Sequence, residues 1–211
     1  MTLSARCIVV PAFRVVAATA VSATVVPAQG LRSYVRDPNH SQVTFVANAR
    51  LIDAQGFWDA WDADIKFDPD AIDKTTLAIT IESKSVNTHV EMRDNDLRSP
   101  RFFDAGAFPK ITFVSKTVHP TGPAPADSAM ANTHLLIAGD LTIKGVTKTV
   151  TAPATLVFYD RERNSGRVKG TFTVLRKDYN VGYDPPGNPI ENEVTVSFDV
   201  TFGLPKPAGR G

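Results

Sequence analysis

The sequence predicts an all-β protein, an antiparallel barrel of about eight strands with one short helical insert. Three observations carry that reading. Most of the chain alternates apolar and polar residues with the period of two that a half-buried strand requires. The connections are mainly short, with no β-α-β rhythm and no internal repeat. One stretch breaks the pattern: Arg93 to Ser115, RDNDLRSPRFFDAGAFPKITFVS, which opens charged, carries paired aromatics and turns at Gly106 and Pro109. One-sided amphipathic strands make either a sandwich or a barrel, and the barrel is preferred of the two. The insert is then expected to cap the barrel's mouth over an apolar ligand.

Taken in order, the first alternating run is Ser41 to Asn48, with Val43, Phe45 and Ala47 on one face. Gly56 marks a turn. From Phe57 to Asp68 the inward set is Trp61, Ala63, Ile65 and Phe67, with Asp62, Asp64, Lys66 and Asp68 facing out. Leu77, Ile79 and Ile81 define the next strand. His89 to Leu97 lacks Gly and Pro and suits a short helix, which Pro100 stops. Ile111 to Ser115 is a strand again, and Pro120 to Asn132 a long hairpin loop. His134 to Ile143 and Thr147 to Tyr159 flank a compact turn at Lys144-Gly145. The charged segment Asp160 to Arg167 leads to a strand over Gly170 to Leu175. Val194, Val196, Phe198, Val200 and Phe202 share one face of the last strand, and the tail from Gly203 reads as disordered.

The 211 residues suit one β domain, and 43% hydrophobic with 21% charged residues is ordinary for a globular chain. Residues 1–28 read as an export signal: Arg6 and Arg14, then an apolar run over Val15 to Val26, then small residues at Val26-Pro27-Ala28. The run is too short to span a bilayer stably. Residues 29–203 are expected to form the barrel and residues 204–211 the tail. Removing Arg6 and Arg14 takes the 23 basic residues to 21 against 22 acidic, a net −1, which gives no case for nucleic acid. Cys7, the single cysteine, lies in the signal, so the exported chain has no thiol for a disulfide, a metal or nucleophilic attack.

Motifs for catalysis are absent. No Gly-x-Ser-x-Gly occurs, and no Ser-x-x-Lys in a supporting context. His40, His89, His119 and His134 are dispersed, and Asp59, Asp62, Asp64 and Asp68 lie on a strand without a calcium loop's glycine and final glutamate. No metal and no cofactor is expected. The inward sets bring carbon and almost no polar atoms, so a cavity inside them favours a chain-like apolar ligand. Its predicted lining is Phe45, Trp61, Phe67, Ile79, Ile81, Phe113, Leu141 and Phe198 from strands, with Phe102 and Phe103 from the insert. Arg93-Asp94 with Asp96, Leu97 and Arg98 is the densest polar cluster. It reads either as a solvated helix face or as a mouth where Arg93 or Arg98 holds a polar head group.

The chain resembles the YceI-like family over about Tyr34 to Phe202. The likeness lies in Asp37-Pro38-Asn39-His40-Ser41 with Val43 and Phe45, in Gly56-Phe57, and in Ser83, Val86 and Thr88 ahead of Arg93-Asp94. It continues in Leu97-Arg98-Ser99, Phe102-Phe103-Asp104 and Phe108-Pro109-Lys110-Ile111-Thr112-Phe113. Gly139 to Lys148, then Arg176, Tyr179 and Val181-Gly182 complete the set. The resemblance implies an extended, lipocalin-like eight-stranded barrel with an elongated hydrophobic pore. It also implies a periplasmic protein that binds polyisoprenoids, isoprenoid quinones or related long amphiphiles, without catalytic residues. On that reading Arg93, Asp94 and Arg176 face the ligand's head. Two departures stand out: Asp96 occupies a place where the family usually has His, and Asn48-Ala49 ends a strand that often ends in His. A filled, stress-related barrel acting through its outer surface, and an enzyme on an isoprenoid or quinone, are the alternatives. A homodimer is left open.

Overall fold

A computed structural model describes residues 30–122 and 132–205. The expected export signal therefore lies outside the described residues, as do the centre of the 120–132 loop and the last part of the tail. In chain order the strands are β1 (Arg32–Arg36), β2 (Gln42–Ala49), β3 (Ala54–Trp58), β4 (Trp61–Phe67), β5 (Thr76–Glu82) and β6 (Val86–Asn87). The helix α1 (Glu91–Arg98) follows, then β7 (Lys110–Pro120), β8 (Thr133–Ile143), β9 (Val146–Asp160), β10 (Ser165–Leu175) and β11 (Ile190–Gly203).

Every pairing is antiparallel, and β1, β4, β5, β7, β8, β9, β10 and β11 close into a ring. β1 joins β4 on one side and the end of β11 on the other, through Val35↔Gly203 and Arg36↔Phe202. β2 pairs with the first part of β11, β3 with β2, and β6 with β3. β1 with β2, β3 with β4 and β5 with β6 are thus three long strands, each broken by a bend. The fold is a closed eight-stranded meander.

Several boundaries differ from expectation, each for a local reason. β1 was invisible to periodicity because it alternates over five residues only. The run Phe57 to Asp68 is interrupted at Asp59-Ala60, where Asp59 N–H donates to Ser85 O and Ala60 O accepts from Glu82 N–H. Asp68 does not face solvent: it is 7% exposed and its carboxylate accepts the Asp70 N–H at 2.9 Å. The helix starts at Glu91 rather than His89, because His89 sits at φ 60°. Glu91 and Asp94 in the first turn and Arg98 in the last match the helix dipole. β7 and β10 are longer than predicted, and Asp160 to Arg167 shrinks to a turn between Asp160 and Ser165. Gly203 belongs to β11, not to the tail. Lys144 and Gly145, at φ 48° and 75°, make the two-residue hairpin that suits strand twist.

A hollow barrel must keep its large side chains off the axis, and glycines on neighbouring strands do this. Phe45 lies over Gly56, Phe113 over Gly139, Phe198 over Gly170 and Phe202 over Gly166. A Cβ on Gly56 would stand 2.7 Å from the Phe45 ring, and one on Gly139 would strike both the Phe113 ring and Val114 O. The rings therefore lie along the wall, where a larger neighbour would tip them inward.

Candidate functional site

The barrel encloses a cavity of about 420 Å³. Of the predicted lining, Phe45, Phe67, Ile79 and Ile81 come from the first half of the barrel, and Phe113, Leu141 and Phe198 from the second. Phe102 and Phe103 complete it from the insert. Trp61 is the correction. It is buried, but the Arg36 guanidinium stands 4.3 Å over its ring and donates to its carbonyl, and the residue is not in the cavity wall. Trp58, three residues earlier, takes the place in the wall. The break at Asp59-Ala60 shifts the phase, so alternation counted back through it from Trp61 turns Phe57 inward and misses Trp58.

One end of the bore is floored by aromatic rings. Phe67 and Phe202 line the cavity and pack at 5.6 Å, with Tyr34 and Tyr159 behind them. The Tyr34 and Tyr159 hydroxyls share a hydrogen bond of 2.7 Å. Burial, reinforced by that bond, pushes the Tyr159 phenol above its ordinary range, so it stays neutral. The opposite end is the mouth. Ile52, at the tip of the β2–β3 hairpin, lines the cavity while 70% exposed. The insert folds over this end, placing Arg93, Asp96 and Leu97 of α1 with Phe102 and Phe103 in the wall.

The polar groups at the mouth are largely committed to one another. Thr88 is a hub: its N–H and hydroxyl donate to Asp94 at 2.8 and 2.6 Å, while its own oxygens accept from Arg93. Asp94 is thereby buried in the α1 connection and is not part of the wall, contrary to expectation. Arg98 is spent on the carbonyls of Lys84 and Val86. Arg176 does line the cavity, yet its five N–H donors go to the carbonyls of Glu191, Val181, Tyr183 and Ile190 and to the Asp184 carboxylate. It braces the 181–191 segment and has no donor left for a head group. Burial raises the Asp184 carboxyl, but the Ile190 N–H, Arg176 and Lys177 outweigh it and hold the group below its usual range. Asp96, where the resemblance led one to expect His, pairs with Arg101 at 3.2 Å. Arg101 in turn stacks on Tyr183 at 4.9 Å and donates to its hydroxyl. Arg93 spends its Nε and Nη2 on Thr88, and its Nη1 has no hydrogen-bond partner among the described residues.

Among the described residues, three buried side-chain polar atoms lack a hydrogen-bond partner: Trp58 Nε1, Tyr179 Oη and Thr75 Oγ1. All three residues line the cavity. Burial, with the Asp178 charge adding to it, pushes the Tyr179 phenol up, so it remains a donor. The sequence reading missed Trp58 as wall and Tyr179 as a polar group of the site. Among the described residues no group of three or more His, Cys, Asp or Glu is placed to hold a metal ion, and no helix is long and apolar enough to cross a membrane.

A closed antiparallel barrel with an apolar interior, capped at one end by a short helix, is the class that fold and site define. Residues 34–202 match the model of the YceI-like domain, and the chain belongs to that family. A UPF0312 protein of Staphylococcus aureus is 26% identical over 184 residues, covering 81% of this chain and 99% of the relative. One from Pseudomonas fluorescens is 32% identical over 145 residues, 65% of this chain and 70% of the relative. Among solved structures, BcnA of Burkholderia cenocepacia is similar with a TM-score of 0.67 and 25% identity, covering 79% of this chain and 98% of that one. A polyisoprenoid binding domain from Saccharophagus degradans shares the fold at a TM-score of 0.61 and 16% identity, over 82% of this chain and 98% of that one.

Proposed function

We propose that this protein binds a long-chain amphiphile, a polyisoprenoid or an isoprenoid quinone, in its bore, and carries or sequesters it without catalysis. The cavity of about 420 Å³, walled almost wholly by carbon, carries the reading. Each buried methylene contributes about 0.8 kcal/mol, so ten give about 8 kcal/mol before the cost of ordering the chain is subtracted. A protein of the same fold is a polyisoprenoid binding domain, which supports the ligand class. The signal-like residues 1–28 support export to the periplasm.

The outer-surface alternative calls for a solid interior, and a cavity lined this way weighs against it. For the enzyme alternative, His40 bonds Asp37 while Asp94 bonds Thr88, in separate networks. The test is lipid extraction of purified exported protein followed by mass spectrometry, with titration of a fluorescent polyprenyl probe. A stoichiometric long-chain species is expected. A clean extract together with no probe uptake would sink the proposal.

A further inference from the structure

Loops that join strands favour Gly, Asn, Asp, Ser and Pro, residues that shape the turn or solvate it. The loop between β2 and β3 holds Leu51 and Ile52 instead, 69% and 70% exposed. With Met92 of α1, at 84%, they are the three most exposed large apolar side chains among the described residues. All three stand at the mouth. Val90, 45% exposed, precedes α1 on the same rim. There β6 pairs with β3 at Phe57↔Asn87, and the His89 ring lies 5.2 Å from that of Phe57.

The tip of this hairpin is held in place by its backbone. Ala49 N–H donates to the Asp53 carboxylate at 2.9 Å, Arg50 N–H to Pro189 O at 3.1 Å and Leu51 N–H to the Asn188 side chain at 2.8 Å. Its apolar side chains are thus presented in a fixed posture, and little ordering cost is left to meet on docking. Ile52 also lines the cavity, so the apolar lining of the bore continues outward through it to Leu51. Four side chains are too few for a stable protein partner, which needs about 800 Å² from each side. They suit a lipid surface, where a few apolar groups sink into the headgroup boundary. Arg50 and Asp53 flank the tip with opposite charge, so the attraction is apolar rather than electrostatic.

We propose that this rim docks on a lipid bilayer, sinking Leu51, Ile52 and Met92 among the headgroups so that a guest passes between bilayer and bore without crossing water. The docking rests on the reading of the bore as the site of a long apolar chain.

The test mixes the exported protein, free of guest, with phosphatidylcholine vesicles and measures the bound fraction by flotation. The native protein should float with the vesicles, and high salt should change this little. The double variant Leu51→Asp with Met92→Asp is expected to cut the bound fraction about tenfold, because each inserted group becomes a carboxylate. Neither residue lines the cavity. The double variant should therefore take a fluorescent polyprenyl probe from detergent micelles as the native chain does, while its uptake from vesicles slows about tenfold. Both positions are open to solvent, and thermal melts should match the native one. Leu31→Asp, at the floor end and 50% exposed in the native chain, is the control and should change neither binding nor uptake. Equal flotation of native and double variant would overturn the docking. So would binding that needs anionic lipid and is lost in salt, or native dimers that the two substitutions dissolve in place of vesicle binding. With loading from micelles intact, each of these results leaves the carrier reading standing. No loading from either source would overturn the carrier reading and, with it, the rim's part in transfer.

Discussion

Arg176 is the residue on which the mouth's irregular segment hangs. Its guanidinium gathers four carbonyls and one carboxylate from residues 181–191, a stretch with no helix or strand of its own until β11 begins. Arg176→Ala would leave those acceptors unmatched and is expected to cost about 3–5 kcal/mol in denaturant unfolding. Arg176→Lys, with three donors in place of five, should recover only part of it. Acid should act on the same brace. Asp184 is held below the ordinary carboxylate value of 3.8, so its contribution is complete above that pH and is lost as the pH falls through the lower folded value. Protection of the amides of residues 181–191, relative to their intrinsic exchange at each pH, should therefore fall below about pH 4, and Asp184→Asn should lack that protection already at neutral pH.

At the scale of strands, the ring-over-glycine pairs are where packing and hollowness meet. Gly139→Ala would push a methyl group against Phe113 and Val114 O, and only the ring can yield. The expected cost is about 1–3 kcal/mol, measurable by denaturant titration, with a fall in polyprenyl-probe capacity as the ring tips into the bore. The regular parts of this architecture were readable from alternation alone, because a strand with one buried face writes its period into the sequence. Phe45, Ile79, Phe113 and Phe198 were found that way. Bends were not readable: the interruption at Asp59-Ala60 is set by hydrogen bonds to Ser85 and Glu82, residues more than twenty positions away. The missing of Trp58 follows from it, whereas Trp61 keeps the phase of β4 and is held out of the wall by its place at the strand's start against Arg36. The roles of Asp94 and Arg176 were illegible for a related reason. Sequence marks a charge, but only the fold decides whether its partners are protein atoms or open space.

For the molecule as a whole, bore length is set by the aromatic floor. Phe67→Ala should remove a floor ring and extend the cavity toward Tyr34 and Tyr159. A loss of about 3–5 kcal/mol is expected for the truncation. If the variant still folds, the chain lengths recovered by extraction and mass spectrometry should shift upward relative to the native protein. An unchanged distribution would mean that the wall, not the floor, measures the guest.

The floor has one more consequence. Among the described residues four packed rings stand across the base of the tube, which leaves the opposite end as the doorway for arrival and departure. On the proposed carrier reading, whichever end of a guest enters last would leave first, and anything handing a molecule over or taking one away would meet the barrel at its insert-bearing rim.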